Sequence, residues 1–167
     1  LHIDGAYCGS VIFSKEYKYL IKGVELSDSF CFNPHKTLGT PLSCSILVVK
    51  NKKYLYNSFS QEASYLYQTQ IDTGYNLGKT SFECGRRNNA LKFWTLWKAI
   101  GTKGISEIIE HEFILSEKAK KYIKNNSNYQ IYNSKPSLSV CFNYKNFDPK
   151  DLCNKLYKLQ RRGEGTK

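Results

Sequence analysis

The chain has 167 residues, of which 41% are hydrophobic and 14% aromatic, and this composition excludes a disordered tail. The longest apolar run, residues 44–49, is far shorter than the roughly 20 residues that cross a bilayer, and no signal-peptide pattern opens the chain. The net charge of +11 comes mostly from scattered lysines, which indicates a solvated surface rather than a nucleic-acid interface. We therefore expect a cytoplasmic protein that binds neither a membrane nor nucleic acid.

The first half of the chain predicts an α/β domain. Residues 1–3 end a buried strand that delivers Asp4, and the spacing of apolar residues over 14–26 predicts a helix. Residues 29–32 predict a short strand, and residues 43–50 predict a strand that is buried on both faces. The order of strand, helix and strand indicates a mixed or parallel sheet.

The second half predicts helices and strands separated by clear breaks. Residues 59–85 show no sustained hydrophobic period, as is typical of a functional loop. Helices are predicted over 90–100 and 104–124, with Gly101 as the stop between them, and residues 125–128 mark a boundary. The last elements are two strands and a helix, over 129–132, 138–144 and 148–159.

Six cysteines occur without a CxxC pair or a nearby histidine doublet, so we expect no zinc or other metal site. Several of them lie in apolar, strand-like runs, where a free thiol behaves as a small hydrophobic side chain. We interpret them as buried, reduced thiols of a cytosolic protein rather than as three disulfides. The six are Cys8, Cys31, Cys44, Cys84, Cys141 and Cys153.

Two charged residues follow the ends of predicted strands. Asp4 follows the first strand and Lys36 follows the strand over 29–32, and strand ends are where α/β sheets place their ligands. A lysine beside apolar walls can lose its proton and attack an aldehyde, and a fixed aspartate can keep a pyridine nitrogen protonated. These residues allow pyridoxal phosphate chemistry, although an ordinary surface lysine and a turn-capping aspartate fit the same pattern.

Three motifs near the start of the chain carry a family resemblance. They are HIDGAY at residues 2–7, NPHK at 33–36 and GTPLSCSILVVK at 39–50. Further matching segments follow in the same order, at residues 63–67, 83–87, 92–98 and 140–144. With these motifs the chain resembles the group II pyridoxal-phosphate-dependent decarboxylases, which include glutamate, cysteine sulfinate and aromatic amino acid decarboxylases.

The resemblance implies that five residues surround a pyridoxal 5'-phosphate cofactor. Lys36 matches the catalytic lysine that forms the Schiff base, and Asp4 matches the catalytic aspartate paired with the pyridinium nitrogen. Ala6 matches the small residue under the ring. Asn33 and His35 match residues near the cofactor phosphate.

The resemblance also implies two site residues later in the chain. Tyr65 matches the catalytic tyrosine of a mobile loop, which returns a proton to the α-carbon of the substrate. Gly85 matches a glycine that approaches the cofactor from the neighbouring subunit. We therefore expect a homodimer whose active site lies at the subunit interface.

The implied fold is α/β and belongs to the aspartate-aminotransferase-like, fold type I architecture. Residues 1–103 match the second half of the large cofactor-binding domain, residues 104–126 a linking helix, and residues 127–167 part of the small α+β C-terminal domain. The family's phosphate-cradling loop precedes the HIDGAY motif, and its substrate-binding arginine lies beyond the last residue here. Since the sequence also contains no methionine, we expect a fragment of a longer protein that is inactive by itself.

The implied activity is decarboxylation of an L-amino acid. Residues 40–45 resemble the glutamate and cysteine sulfinate branch more than the aromatic branch, so an acidic substrate is expected: glutamate, aspartate or cysteine sulfinate. Two alternatives stay open. One is a truncated, inactive decarboxylase-like protein that acts only by interaction, and the other is a basic module that binds nucleic acid.

Overall fold

The computed structural model describes residues 1–60, 77–83, 85 and 87–161 of the chain. The chain divides into two units, Leu1–Glu110 and His111–Lys167. All of the predicted site residues that the structure describes lie in the first unit. Tyr65, and most of the segment predicted as a loop, lie outside the described residues.

A three-stranded mixed sheet forms the centre of the first unit. Its strands are β1 (His2–Gly5), β2 (Ser29–Phe32) and β3 (Ile46–Val49), in that spatial order. Strand β1 pairs in parallel with β2, so that Asp4 lies opposite Cys31, and β3 pairs antiparallel with β2. The predicted α/β class is confirmed.

The segment between β1 and β2 is not the single helix predicted over 14–26. It contains three short 3₁₀ helices, Gly9–Phe13, Lys18–Ile21 and Val24–Leu26. The backbone is extended at Ser14 and turns into the left-handed region at Gly23, with φ of 96°. The Ser14 hydroxyl accepts a hydrogen bond from the Tyr17 backbone amide at 3.0 Å. Serine side chains compete with helical hydrogen bonds in this way, so the apolar spacing alone gave a wrong prediction.

Strand β3 is not buried on both faces as its apolar sequence predicted. Leu47 and Val48, whose side chains point to opposite faces, are each 53% exposed. Within the described residues β3 pairs only with β2, so it is an edge strand. An apolar run of this length predicts a strand but does not determine how many neighbours cover it.

Beside the sheet, the described part of the first unit contains three α-helical segments and a further 3₁₀ helix, Leu77–Thr80. The α-helical segments are α1 (Pro34–Thr37), α2 (Lys52–Phe59) and the first part of α3 (Asn89–Lys124). Helix α2 was missed in the sequence, although Asn51 caps it by accepting a hydrogen bond from the Lys53 amide at 3.0 Å. The predicted stop within α3 is confirmed, because Gly101 has φ of 67° and ψ of 178° inside the helical stretch.

Aromatic rings pack against the sheet in the first unit. The ring of Phe32 lies 5.8 Å from that of Phe13 and 6.1 Å from that of Phe93, which in turn lies 5.3 Å from Trp97. Phe30 and Phe32 are both buried. These contacts hold the segment after β1 and helix α3 against β2.

Two glycines allow the segment after β1 to lie directly on β2. A methyl group added to Gly5 would lie 2.7 Å from the carbonyl oxygen of Cys31, and one added to Gly9 would lie 2.8 Å from the Cβ of Phe32. Both distances are shorter than van der Waals contact. The close approach that follows Asp4 therefore requires glycine at both positions.

The second unit contains a two-stranded antiparallel sheet and a terminal helix. Strand β4 (Tyr129–Ile131) pairs with β5 (Phe142–Tyr144), and α4 covers Pro149–Arg161. The buried ammonium of Lys120 donates to Glu117 Oε1 and to the Lys135 carbonyl, each at 2.8 Å. This pairing compensates the cost of burying its charge.

The described cysteines agree only in part with the prediction of buried, reduced thiols. Cys31, Cys44, Cys141 and Cys153 are free thiols. Cys44 is buried and Cys31 is half-buried, but Cys141 and Cys153 are exposed, so the prediction of burial is wrong for those two. Among the described helices, none has the length and hydropathy to cross a membrane.

The packing against β2 gives a test of stability. We expect Gly9→Ala to lower the free energy of unfolding of the complete gene product by about 1–3 kcal/mol, because the added methyl group overpacks a buried contact. Ser58→Ala is the control, because Ser58 is exposed on α2 and surface substitutions usually change stability by less than about 0.5 kcal/mol. Urea denaturation measures both variants. Equal unfolding midpoints for Gly9→Ala, Ser58→Ala and the parent would contradict the close approach.

Candidate active site

The parallel pairing of β1 and β2 brings the ends of both strands to one edge of the sheet. Gly5, the last residue of β1, is the register partner of Phe32, the last residue of β2. The Asn33 amide then donates to the Ala6 carbonyl at 3.2 Å, so the segments that follow the two strands stay together. The HIDGAY and NPHK motifs therefore lie at the same sheet edge.

Asp4 presents an exposed carboxylate at this edge. Its Oδ1 atom accepts hydrogen bonds from the Ala6 amide at 2.9 Å and from the Cys31 thiol at 3.4 Å. These two hydrogen bonds, with smaller contributions from the charges of His2 and Lys36, lower the pKa of Asp4 below its ordinary value. The carboxylate is therefore ionised at neutral pH, which suits a protonated ring nitrogen as its partner.

Lys36 lies in the short helix α1, which begins at Pro34 directly after β2. Its side chain is exposed, and its backbone amide donates to the Asn33 carbonyl at 2.9 Å. A buried hydrogen bond of 2.6 Å between the hydroxyls of Ser10 and Thr37 ties this turn to the segment after β1. The Lys36 side chain is therefore exposed, whereas a buried hydrogen bond holds the backbone next to it in place.

His35 contacts the loop that leads into β3. Its Nδ1 atom lies 2.7 Å from the carbonyl oxygen and 3.0 Å from the amide nitrogen of Cys44. Nδ1 either donates to this carbonyl or accepts from this amide, and in both cases one hydrogen bond joins His35 to the backbone of Cys44. Asn33 is half-buried, and its side chain does not cap α1.

The other predicted site residues are placed as follows. Ala6 is half-buried and lies two residues beyond Asp4. Gly85 is exposed, with open space where a side chain would be. Tyr65 lies outside the described residues, so the structure brings together Asp4, Ala6 and the NPHK segment 33–36 but not the two later residues.

A cavity of about 640 Å³ lies in the first unit, and Phe32 at the end of β2 forms part of its wall. Apolar side chains form most of its wall, among them Phe30, Ile46, Val48 and Trp97, and it includes none of the predicted site residues. In the part of the chain that the structure describes, no group of three or more potential metal ligands lies together. Among the described site residues, Asp4 supplies a carboxylate and Lys36 an amine.

The sequence did not identify Cys31 as a neighbour of the site. It was interpreted only as an apolar thiol within a strand, because its contact with Asp4 depends on the register between β1 and β2. The hydrogen bond between Ser10 and Thr37 was missed for the same reason. Both contacts join residues that are 27 positions apart, and no local pattern reveals such a pairing.

A family model and curated proteins match most of the chain. The model described as "Pyridoxal-dependent decarboxylase conserved domain" matches residues 1–145. Acidic amino acid decarboxylase GADL1 is 37% identical in Mus musculus and 35% identical in Homo sapiens over 147 residues, or 86% of this chain. The chain spans only 27% and 28% of the length of these two relatives.

Solved structures share the fold over nearly the whole chain. The crystal structure of mouse CSAD in apo form matches with a TM-score of 0.80 and 27% identity, over 98% of this chain and 36% of that one. The structure of Oryza sativa TDC with PLP and tryptamine matches with a TM-score of 0.81 and 25% identity, over 94% of this chain and 35% of that one. These matches confirm that the fold is part of the pyridoxal-phosphate-dependent decarboxylase architecture.

The family resemblance carried by the HIDGAY and NPHK motifs is confirmed by the family model, the curated relatives and the shared fold together. Pyridoxal phosphate is the cofactor of this family, and the ionised Asp4 and the exposed Lys36 suit it. The chain belongs to the family of pyridoxal-dependent decarboxylases.

Proposed function

We propose that the protein decarboxylates an L-amino acid with pyridoxal phosphate, which Lys36 holds covalently. The observation that carries this proposal is the shared sheet edge, from which an ionised Asp4 and an exposed Lys36 both face solvent. Acid and amine are thereby available on two segments that the Asn33–Ala6 hydrogen bond fixes relative to each other. Membership of the decarboxylase family supports the reaction class.

Asp4 and Ala6 contribute to cofactor binding in different ways. Asp4 holds the proton on the ring nitrogen, because a carboxylate with a lowered pKa stabilises a cation beside it. Ala6 leaves room for a flat ring, since its side chain is a single methyl group. When bound, pyridoxal phosphate supplies an electron sink for the bond that breaks as carbon dioxide leaves.

Asn33 and His35 are proposed to contact the cofactor phosphate. The Nδ1 atom of His35 already contacts the Cys44 backbone, so Nε2 is the atom left for an anion. The side-chain amide of Asn33 does not cap α1, so it is also left for the phosphate. Both residues come after the end of β2, and α/β sheets bind ligands at such strand ends.

Two further roles come from the family resemblance. Tyr65 returns a proton to the α-carbon after carbon dioxide leaves, as a general acid. Gly85 approaches the cofactor from the neighbouring subunit of a homodimer, and its exposure supports this assignment.

The domain division of the family is proposed for this chain as well. The large domain corresponds to residues 1–103, the linking helix to 104–126 and the small domain to 127–167. A cytoplasmic location is proposed for the protein.

We further propose that the substrate is acidic: glutamate, aspartate or cysteine sulfinate. Support comes from two curated relatives at 35–37% identity, both named acidic amino acid decarboxylases. The fold alone does not select the substrate, because the rice TDC structure that holds tryptamine has a TM-score of 0.81. The chain is 35–37% identical to the acidic amino acid decarboxylases but 25% identical to this structure, so sequence identity supports the acidic class better than the fold does.

The covalent role of Lys36 is tested in the complete gene product. We expect Lys36→Ala to abolish the visible absorbance of lysine-bound cofactor and to lower activity at least about 100-fold, or about 2.7 kcal/mol. Lys50→Ala is the matched control, because Lys50 is also an exposed lysine that follows a strand, but at the opposite edge of the sheet. Unchanged absorbance in Lys36→Ala would contradict the assignment.

The same preparation discriminates the two alternative functions. A folded gene product that takes up no pyridoxal phosphate would favour a protein that acts only by interaction. Retention on a polyanion column that competing DNA abolishes would favour a nucleic-acid-binding module. We expect cofactor uptake and no retention that DNA displaces.

The substrate class is tested by competition among amino acids. We expect kcat/KM for at least one of glutamate, aspartate and cysteine sulfinate to exceed that for tyrosine and for diaminobutyrate by about tenfold or more, equivalent to about 1.4 kcal/mol. Initial rates of carbon dioxide release measure each value. A preference for tyrosine or diaminobutyrate over all three acids would contradict the substrate class and leave the roles of Lys36 and Asp4 in place.

A further inference from the structure

A half-buried thiol lies beside the carboxylate of the candidate site. The parallel register pairs Asp4 with Cys31, and the preceding pair on the same face joins His2 to Ser29. His2 Nδ1 lies 2.8 Å from Ser29 Oγ. The contacts His2–Ser29 and Asp4–Cys31 are therefore neighbouring cross-strand pairs on this face.

Both donors to Asp4 converge on the same carboxylate oxygen. The Ala6 amide lies 2.9 Å and the Cys31 sulfur 3.4 Å from Oδ1. The amide belongs to the segment after β1, whereas the thiol projects from the neighbouring strand β2. Among the described residues, the hydrogen bonds to the Asp4 side chain are these two, and neither uses the other oxygen, Oδ2. Two donors from different segments restrict the rotation of the carboxylate, and Asp4 as a whole is exposed.

We propose that Cys31 is a positioning residue, whose thiol fixes the Asp4 carboxylate so that Oδ2 is the oxygen that receives the ring N–H of the cofactor. The inference rests on the proposed function and extends it to a residue outside the recognised motifs. Cys31 touches neither cofactor nor substrate in this role. It acts through Asp4 alone.

The protonation state of the thiol agrees with this role. Burial and the hydrogen bond to Asp4 raise the pKa of Cys31, whereas a hydrogen bond with the Gly5 backbone and, to a smaller extent, the charge of Lys36 oppose the shift. The group therefore keeps its proton at neutral pH and remains a donor. A thiolate would repel the carboxylate instead.

The contact between Cys31 and Asp4 is tested without cofactor. Iodoacetamide alkylates the thiolate, so at about pH 8 the rate at Cys31 reports the pKa of its thiol. In the cofactor-free gene product we expect Asp4→Asn to raise the rate at Cys31 about threefold or more, measured by peptide mass spectrometry. Asp28→Asn is the matched control, because Asp28 is an exposed aspartate at the other edge of the sheet. An equal rate in Asp4→Asn and the parent would overturn the proposal.

The positioning role is tested with cofactor bound. We expect Cys31→Ala to lower kcat about three- to tenfold with KM unchanged, and to lower the pH at which the ring nitrogen loses its proton in the cofactor spectrum. Cys31→Ser supplies a hydroxyl donor and is expected to restore at least about half of kcat. Cys153→Ala, which removes an exposed thiol in the second unit, is the control.

Each outcome of this second test is decisive. Parental kcat and spectrum in Cys31→Ala would overturn the proposal, and so would a Cys31→Ser variant as impaired as Cys31→Ala, since that result indicates packing rather than donation. Failure of the parent protein to bind cofactor would overturn the proposed function and the role of Oδ2 with it. The alkylation experiment would still report the Asp4–Cys31 contact, so the two failures are distinguishable.

Discussion

The parallel pairing of two short strands is the constraint on which the candidate site depends. Because β1 and β2 run in the same direction and end in register, the residues that follow them meet at one edge. A slip of one residue would move Asp4 to the other face of the sheet and away from Cys31. Gly5 and Gly9 keep this pairing possible, since any side chain there would separate the following segment from β2.

The electrostatics of the edge arise from hydrogen bonds more than from burial. Asp4 is exposed, and its pKa is lowered chiefly by the Ala6 amide and the Cys31 thiol. Lys36 is exposed as well, but its backbone is tied to the interior through the Thr37 hydroxyl. The site thus combines solvent-facing charges with a fixed backbone, the arrangement that a cofactor with a cationic ring and an electrophilic carbonyl requires.

The sequence predicted the approximate positions of the strands and the location of Asp4 and Lys36 near strand ends, because these depend on local composition. It failed where the outcome depends on distant contacts or on competing local hydrogen bonds. Instead of the helix predicted over 14–26, the structure has short 3₁₀ helices, with extended backbone at Ser14 and a left-handed conformation at Gly23. The exposure of β3 and the contact between Cys31 and Asp4 depend on which strands are neighbours, and neighbours are not encoded in any short segment.

Chemical trapping shows whether this edge holds the cofactor through Lys36. Borohydride reduction of the complete gene product loaded with pyridoxal phosphate makes the lysine linkage permanent, and peptide mass spectrometry then locates it. We expect the cofactor-derived mass on the peptide that contains Lys36 and on no other lysine in stoichiometric amount. A stoichiometric label on a different lysine, or a loaded protein without any label, would contradict the covalent role of Lys36.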